Sequence, residues 1–113
     1  MPRSTLAPIV RVLYYVTKLY IHMSWTRAQI EQLLEDDYDA LMIHTGSPHP
    51  IQFDKKTDTY RLDHDANDPM LIITLHNIPM SPSGEKKGTV VERVKLSNIT
   101  KVSQMTLNRI ETP

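Results

Sequence analysis

From Gly46 to its end this chain offers strands and turns and no helix, and that restriction fixes most of what it can fold into. Gly46-Ser47-Pro48-His49-Pro50 cannot be helical, because each proline restrains both itself and the residue before it. Beyond it, apolar residues recur with the period of two that a half-buried strand needs. Ile51 and Phe53 flank Gln52, residues 54–58 are a polar turn, and Tyr60 and Leu62 flank Arg61, which together read as a hairpin. Residues 63–69 form a second polar connection, and 70–76 is the most buried-looking strand. Residues 78–88 (IPMSPSGEKKG) read as a mobile loop by composition. Over residues 89–96, Val90, Val94 and Leu96 point inward against Arg93 and Lys95, and Glu92 breaks the inward row. Residues 99–107 add a further strand or two around a turn at Ser97-Asn98.

The N-terminal third supplies the one helix. Thr26 as N-cap with Gln29 three residues on makes a capping box, and Trp25 and Ile30 occupy the positions of a hydrophobic staple. Ile30, Leu33 and Leu34 give the buried stripe. Glu35, Asp36 and Asp37 sit badly at the negative end of a helix dipole and predict a stop near Asp37, with a strand over 40–45. Upstream, residues 10–23 also have apolar residues at helical spacing, but their β-branched and aromatic content favours strand, strongest over 18–23. The expected class is α+β: a small β-rich twisted sheet or partly open barrel with one main helix at about 26–37. RNA-binding folds of the PUA type share that architecture, an analogy of architecture alone.

A chain of 113 residues makes a single domain, 1–113, with one core. With no cysteine, disulfides, thiolate zinc sites and cysteine nucleophiles are excluded. Arg11 interrupts the apolar stretch that would make a signal peptide, and residues 12–16, the longest strictly apolar run there, fall far short of the ~20 needed for a membrane span. The expected location is cytoplasmic.

Charge sums to zero but is segregated. Residues 1–27 carry four cations and no acid; residues 28–68 carry ten acids against Lys55, Lys56 and Arg61; residues 69–113 carry six cations against three acids. Should the ends meet, one face is basic. Lys86, Lys87, Arg93 and Lys95 are the candidate phosphate contacts, with Arg11, Lys18, Arg27, Lys101 and Arg109 as further cations and Tyr14, Tyr15 and Tyr20 available to stack on bases. The leading expectation is a non-enzymatic regulatory protein contacting RNA or single-stranded nucleic acid. The alternative is a protein-interaction module using the acidic helix face of Glu31, Glu35 and Asp36, with Trp25 as a candidate anchor. Third is a metal-dependent enzyme on His44, His49 and His64, with Asp63 or Asp65. The segment 63–68 opens like a calcium loop but has Asp68 where glycine is needed and Thr74 where a bidentate glutamate is needed, so it fails that pattern. Three glycines cannot build a phosphate-cradling loop or a nucleophile elbow, and no catalytic residue or cofactor is expected.

Overall fold

The structure, a computed structural model, describes residues 10–63 and 69–112, with side chains over 14–63 and 69–108. In chain order it has β1 (Val10–Tyr20), α1 (Arg27–Glu35), β2 (Ala40–His44), β3 (Ile51–Asp54), β4 (Thr59–Asp63), β5 (Met70–Pro79), β6 (Lys87–Lys95), a 3-10 turn (Leu96–Asn98) and β7 (Lys101–Thr112). The class is α+β with one α-helix, as the sequence predicts. The strands form two antiparallel sheets, ordered β1-β7-β2-β3 and β4-β5-β6, and do not close into a barrel.

The helix begins as its sequence dictates. The Thr26 hydroxyl accepts from Gln29 N at 3.2 Å, and Gln29 Oε1 accepts from Thr26 N at 2.9 Å. Trp25 and Ile30, the staple pair, are both buried. The helix ends at Asp36, whose backbone is extended. Replacing Thr26 by alanine orphans one backbone donor in the first turn and should cost about 1 kcal/mol, read as a lower urea midpoint at unchanged slope.

Ile30, Leu33 and Leu34 of α1 meet Leu41 and Ile43 of β2, Phe53 of β3 and Val102 of β7 in one cluster with Leu62, Leu71, Ile73 and Val94 of the second sheet. Each inward position comes from the period-two alternation of its strand. Tyr38 closes the cluster beside α1, its hydroxyl donating to Leu34 O at 2.9 Å.

Three expectations change and a fourth, the further strand or two at the C-terminal end, narrows to one. Residues 51–62 are not a hairpin: β3 pairs with β2 (Leu41↔Phe53, Ile43↔Ile51), and β4 pairs with β5 (Leu62↔Leu71, Tyr60↔Ile73). The turn between them exists, with Asp58 N donating to Asp54 O at 2.9 Å, but it carries the chain from one sheet to the other. The first strand lies at Val10–Tyr20 instead of centring on 18–23, because Trp25 and the helix start draw the chain out of the ladder after Tyr20. The expected loop at 78–88 is shorter: β5 and β6 continue past a bulge between Leu75 and Ile78 to the pair Pro79↔Lys87, so both ends of the segment are ladder and 80–86 is the connection. Met80 folds back over Gly88, where an added Cβ would lie 2.7 Å from Met80 Cε. Finally, the residues after the 3-10 turn form one twelve-residue strand, β7.

β7 pairs with β1 over eleven positions but with β2 only as far as Met105. Asp39 ends that second ladder: its N donates to Met105 O at 2.9 Å and its carboxylate accepts from Leu107 N. Beyond this point β1 and β7 run on as a two-stranded ribbon for seven residues of β7, roughly 24 Å.

A basic sheet face and an inter-sheet cleft

On β6, Lys87, Thr89, Val91, Arg93 and Lys95 are exposed, and the intervening residues are half-buried or buried. Antiparallel register carries this outward face across the sheet. Arg93 stands opposite Ile72 of β5, and Ile72 stands opposite Arg61 of β4. Arg61 and Arg93 are therefore two strands apart, roughly 10 Å between backbones. Ile72 between them is only 7 % exposed although it faces outward, which fits arginine stems lying across it. The next row runs Lys95, Met70, Asp63.

Of the four cations expected to contact phosphate, Lys87, Arg93 and Lys95 share this face. Lys86 adjoins it from the exposed connection, its N donating to Ser81 Oγ at 3.3 Å, and belongs to no strand. Arg61 is the cation that sequence reasoning left out. Its alternation with Tyr60 and Leu62 already turned it outward; what was missing was the pairing that sets β4 beside β5.

The chain ends do meet, since β1 and β7 pair throughout, but their described cations lie on the other sheet or on α1. Lys18 is opposite Gln104, and its charge acts on Asp36. Gln104 Nε2 donates to Asp36 Oδ2 at 3.0 Å; this bond, with the Asp37 N–H, holds the Asp36 carboxyl below its usual range. Lys101 is opposite His44, and burial followed by the Lys101 charge lowers the His44 pKa. Arg27 opens α1. The side chains of Arg11 and Arg109 lie outside the described residues. Tyr14 and Tyr15 are exposed on β1 and Tyr20 packs against the core, so no tyrosine joins the basic face.

The acidic helix face is partly consumed by the fold. Glu35 accepts from the Tyr60 hydroxyl, and Lys55 Nζ donates to the Glu35 and Asp36 carbonyls while standing 4.8 Å from the Tyr38 ring centroid. Lysine at a helix C-terminus satisfies carbonyls that have no partner within the helix. Burial and then the Glu35 bond push the Tyr60 pKa up to about 12, and burial raises Tyr38 as well. Both folded phenols thus favour the neutral form. Their contribution to stability is complete below the unfolded value near 10 and is lost as pH rises toward the folded values. Phenolate absorbance should show Tyr60 and Tyr38 titrating only with alkaline unfolding, and Tyr60→Phe should lower the absorbance change of that transition by one phenolate.

Between the sheets lies a cleft of about 470 Å³, with Leu75 and Ile78 on one wall, Ile51 and Gln52 on the other, and His49 and Asn98 at its margin. Glu92, the residue that breaks the inward row of β6, lines it. His49 is thus at the cleft, His44 is in β2, and His64 lies outside the described residues. Among the described residues no group of three or more histidine or acidic side chains could hold a metal ion, and no helix is long and apolar enough to cross a membrane. Compared with known proteins, the chain matches no family model, no curated protein and no solved structure.

Proposed function

We propose that this protein is a non-enzymatic regulatory binding module that takes the phosphate backbone of RNA or single-stranded nucleic acid on the outward face of β4-β5-β6. The observation that carries the reading is the convergence of Arg61, Lys87, Arg93 and Lys95 on one exposed surface. Flexible cations are sufficient for phosphate contact, and the flanking Thr59, Thr74 and Thr89 add hydroxyl donors. No aromatic side chain accompanies them, so the contact is to backbone and its sequence preference is weak. Fluorescence anisotropy of labelled RNA and DNA oligonucleotides, at low and near-physiological salt, tests this. Saturable binding that weakens steeply with salt supports the reading, and no binding at low salt overturns it.

A protein-interaction reading draws on a different surface. β1 is an edge strand of eleven residues exposing Tyr14, Tyr15, Val16 and Leu19, followed by exposed Ile21 and Met23. Long apolar edges are the ones that accept another strand. That edge, more than the acidic helix, is where a protein partner would add, and such binding would be indifferent to the cations of β4 and β6.

A further inference from the structure

We propose that the inter-sheet cleft binds a small organic cation, an ammonium or guanidinium group on an aliphatic body, with Glu92 as its counter-ion. The site is distinct from the basic face, which lies on the opposite side of the same sheet; Arg93 alone borders both.

The first ground is the place of Glu92 in its strand. Val90, Glu92 and Val94 form the inward row of β6, and Glu92 is paired in register with Ile73, which is fully buried. Sheet packing asks for an apolar residue at that position, and glutamate is seldom enclosed without a partner. Glu92 is half-buried, and its carboxylate has no hydrogen bond or ion pair among the described residues. A carboxylate so placed has lost part of its hydration and gained nothing in return.

The second ground is the space in front of it. A cleft of about 470 Å³ falls in the range of small-ligand sites, and its lining is mixed: Ile51, Leu75 and Ile78 offer apolar surface among polar groups that include His49, Gln52 and Asn98. Glu92 is the single carboxylate in the lining among the described residues. The adjacent Arg93 borders the cleft but is exposed, with the alternation of β6 turning it to the other face. An anion entering would meet Glu92 with like charge. A neutral molecule would leave its lost hydration uncompensated. An ammonium or guanidinium would pair with it, while the aliphatic body covers Leu75 and Ile78 and His49 or Asn98 takes up a remaining polar atom.

The test is an amide NMR titration of the full chain with n-butylammonium, with n-pentanol as a neutral alcohol one carbon longer and butyrate as anion. The expected result is a saturable set of shifts around Gln52, Leu75, Glu92 and Asn98 with n-butylammonium, and affinity at least about tenfold weaker for pentanol and butyrate. Glu92→Gln keeps the shape of the side chain and should lower n-butylammonium affinity about tenfold while leaving the remaining spectrum in place. A parallel titration with end-blocked lysine and arginine separates the sources: tighter binding than n-butylammonium identifies a peptide side chain, and weaker binding identifies a free amine. Shifts of equal size with pentanol, unchanged affinity in Glu92→Gln, or no saturable shifts with any cation would overturn the proposal. Glu92→Gln should also leave oligonucleotide binding unchanged, so the two readings fail separately.

Discussion

Replacing Asp58 by alanine should destabilise the fold by about 2–4 kcal/mol, a large share of the roughly 5–15 kcal/mol that holds a domain of this size together. The reason is the place of one carboxylate between two sheets. Asp58 Oδ2 accepts from Asp54 N at 2.8 Å, at the end of β3, and Oδ1 accepts from His76 N at 2.9 Å, in β5. The second bond answers a need created by the bulge. The β5–β6 register shifts between Leu75 and Ile78, with Asn77 at a φ of 60°, so His76 falls outside the regular pairing with β6. Both donors are part-buried, and alanine leaves them without an acceptor. Stranding each costs about 1–3 kcal/mol, nearer the lower figure where water can reach. Asp58→Asn keeps one acceptor oxygen and should cost about half as much. Urea unfolding gives the totals, and faster hydrogen exchange at the His76 amide locates the loss in β5. Should Asp58→Ala move the urea midpoint no further than Lys56→Ala does, the carboxylate does not tie the sheets.

The features that could be read in advance are those whose partners are near in sequence. Thr26 and Gln29 are three residues apart, and the cap they make needs nothing else from the chain. The same is true of the helix stop at Asp36 and of the inward and outward faces of β6. Strand partners are another matter, because alternation says which face a residue takes and not which neighbour it meets. Ile51-Gln52-Phe53 and Tyr60-Arg61-Leu62 carry the pattern of a hairpin, yet they serve two sheets, since Leu41 and Leu71, farther away, complete their ladders. Composition misled at the two ends of 78–88 for a related reason. Pro79 lacks an N–H, but at the end of β5 that lack removes little from the ladder. The charge segregation is real along the chain and largely dissolves in space. Lys18 acts on Asp36, Lys55 covers the end of α1, and Arg61, counted among the acids, joins Arg93. Glu92 was visible as an irregularity, but the cleft that gives it meaning is built by β3, β5 and the connection around His49.

Arg61 also yields the sharpest test of the basic face, because only the folded sheet groups it with β6. Four cations able to neutralise about four phosphates imply a slope near −3 for log affinity against log salt on a single strand, taking about 0.7 per contact. Changing Arg61 and Arg93 together to glutamate removes two contacts and sets two like charges against the same backbone. Affinity at low salt should fall by a factor of about 100, and the residual slope should be no more than half the original. Both side chains are exposed, so the double variant should fold, which its unfolding curve will establish. Lys86→Glu is the control. In a face that follows the chain, Lys86 would rank with Lys87 and Arg93; in a face that follows the sheet, it stands at the margin and its reversal should cost only a few-fold. A loss for Lys86→Glu that equals the double variant would place the binding surface in the 80–86 connection. A double variant with unchanged affinity and slope would remove the phosphate-binding reading from β4 and β6 and leave the apolar edge of β1 as the surface to pursue.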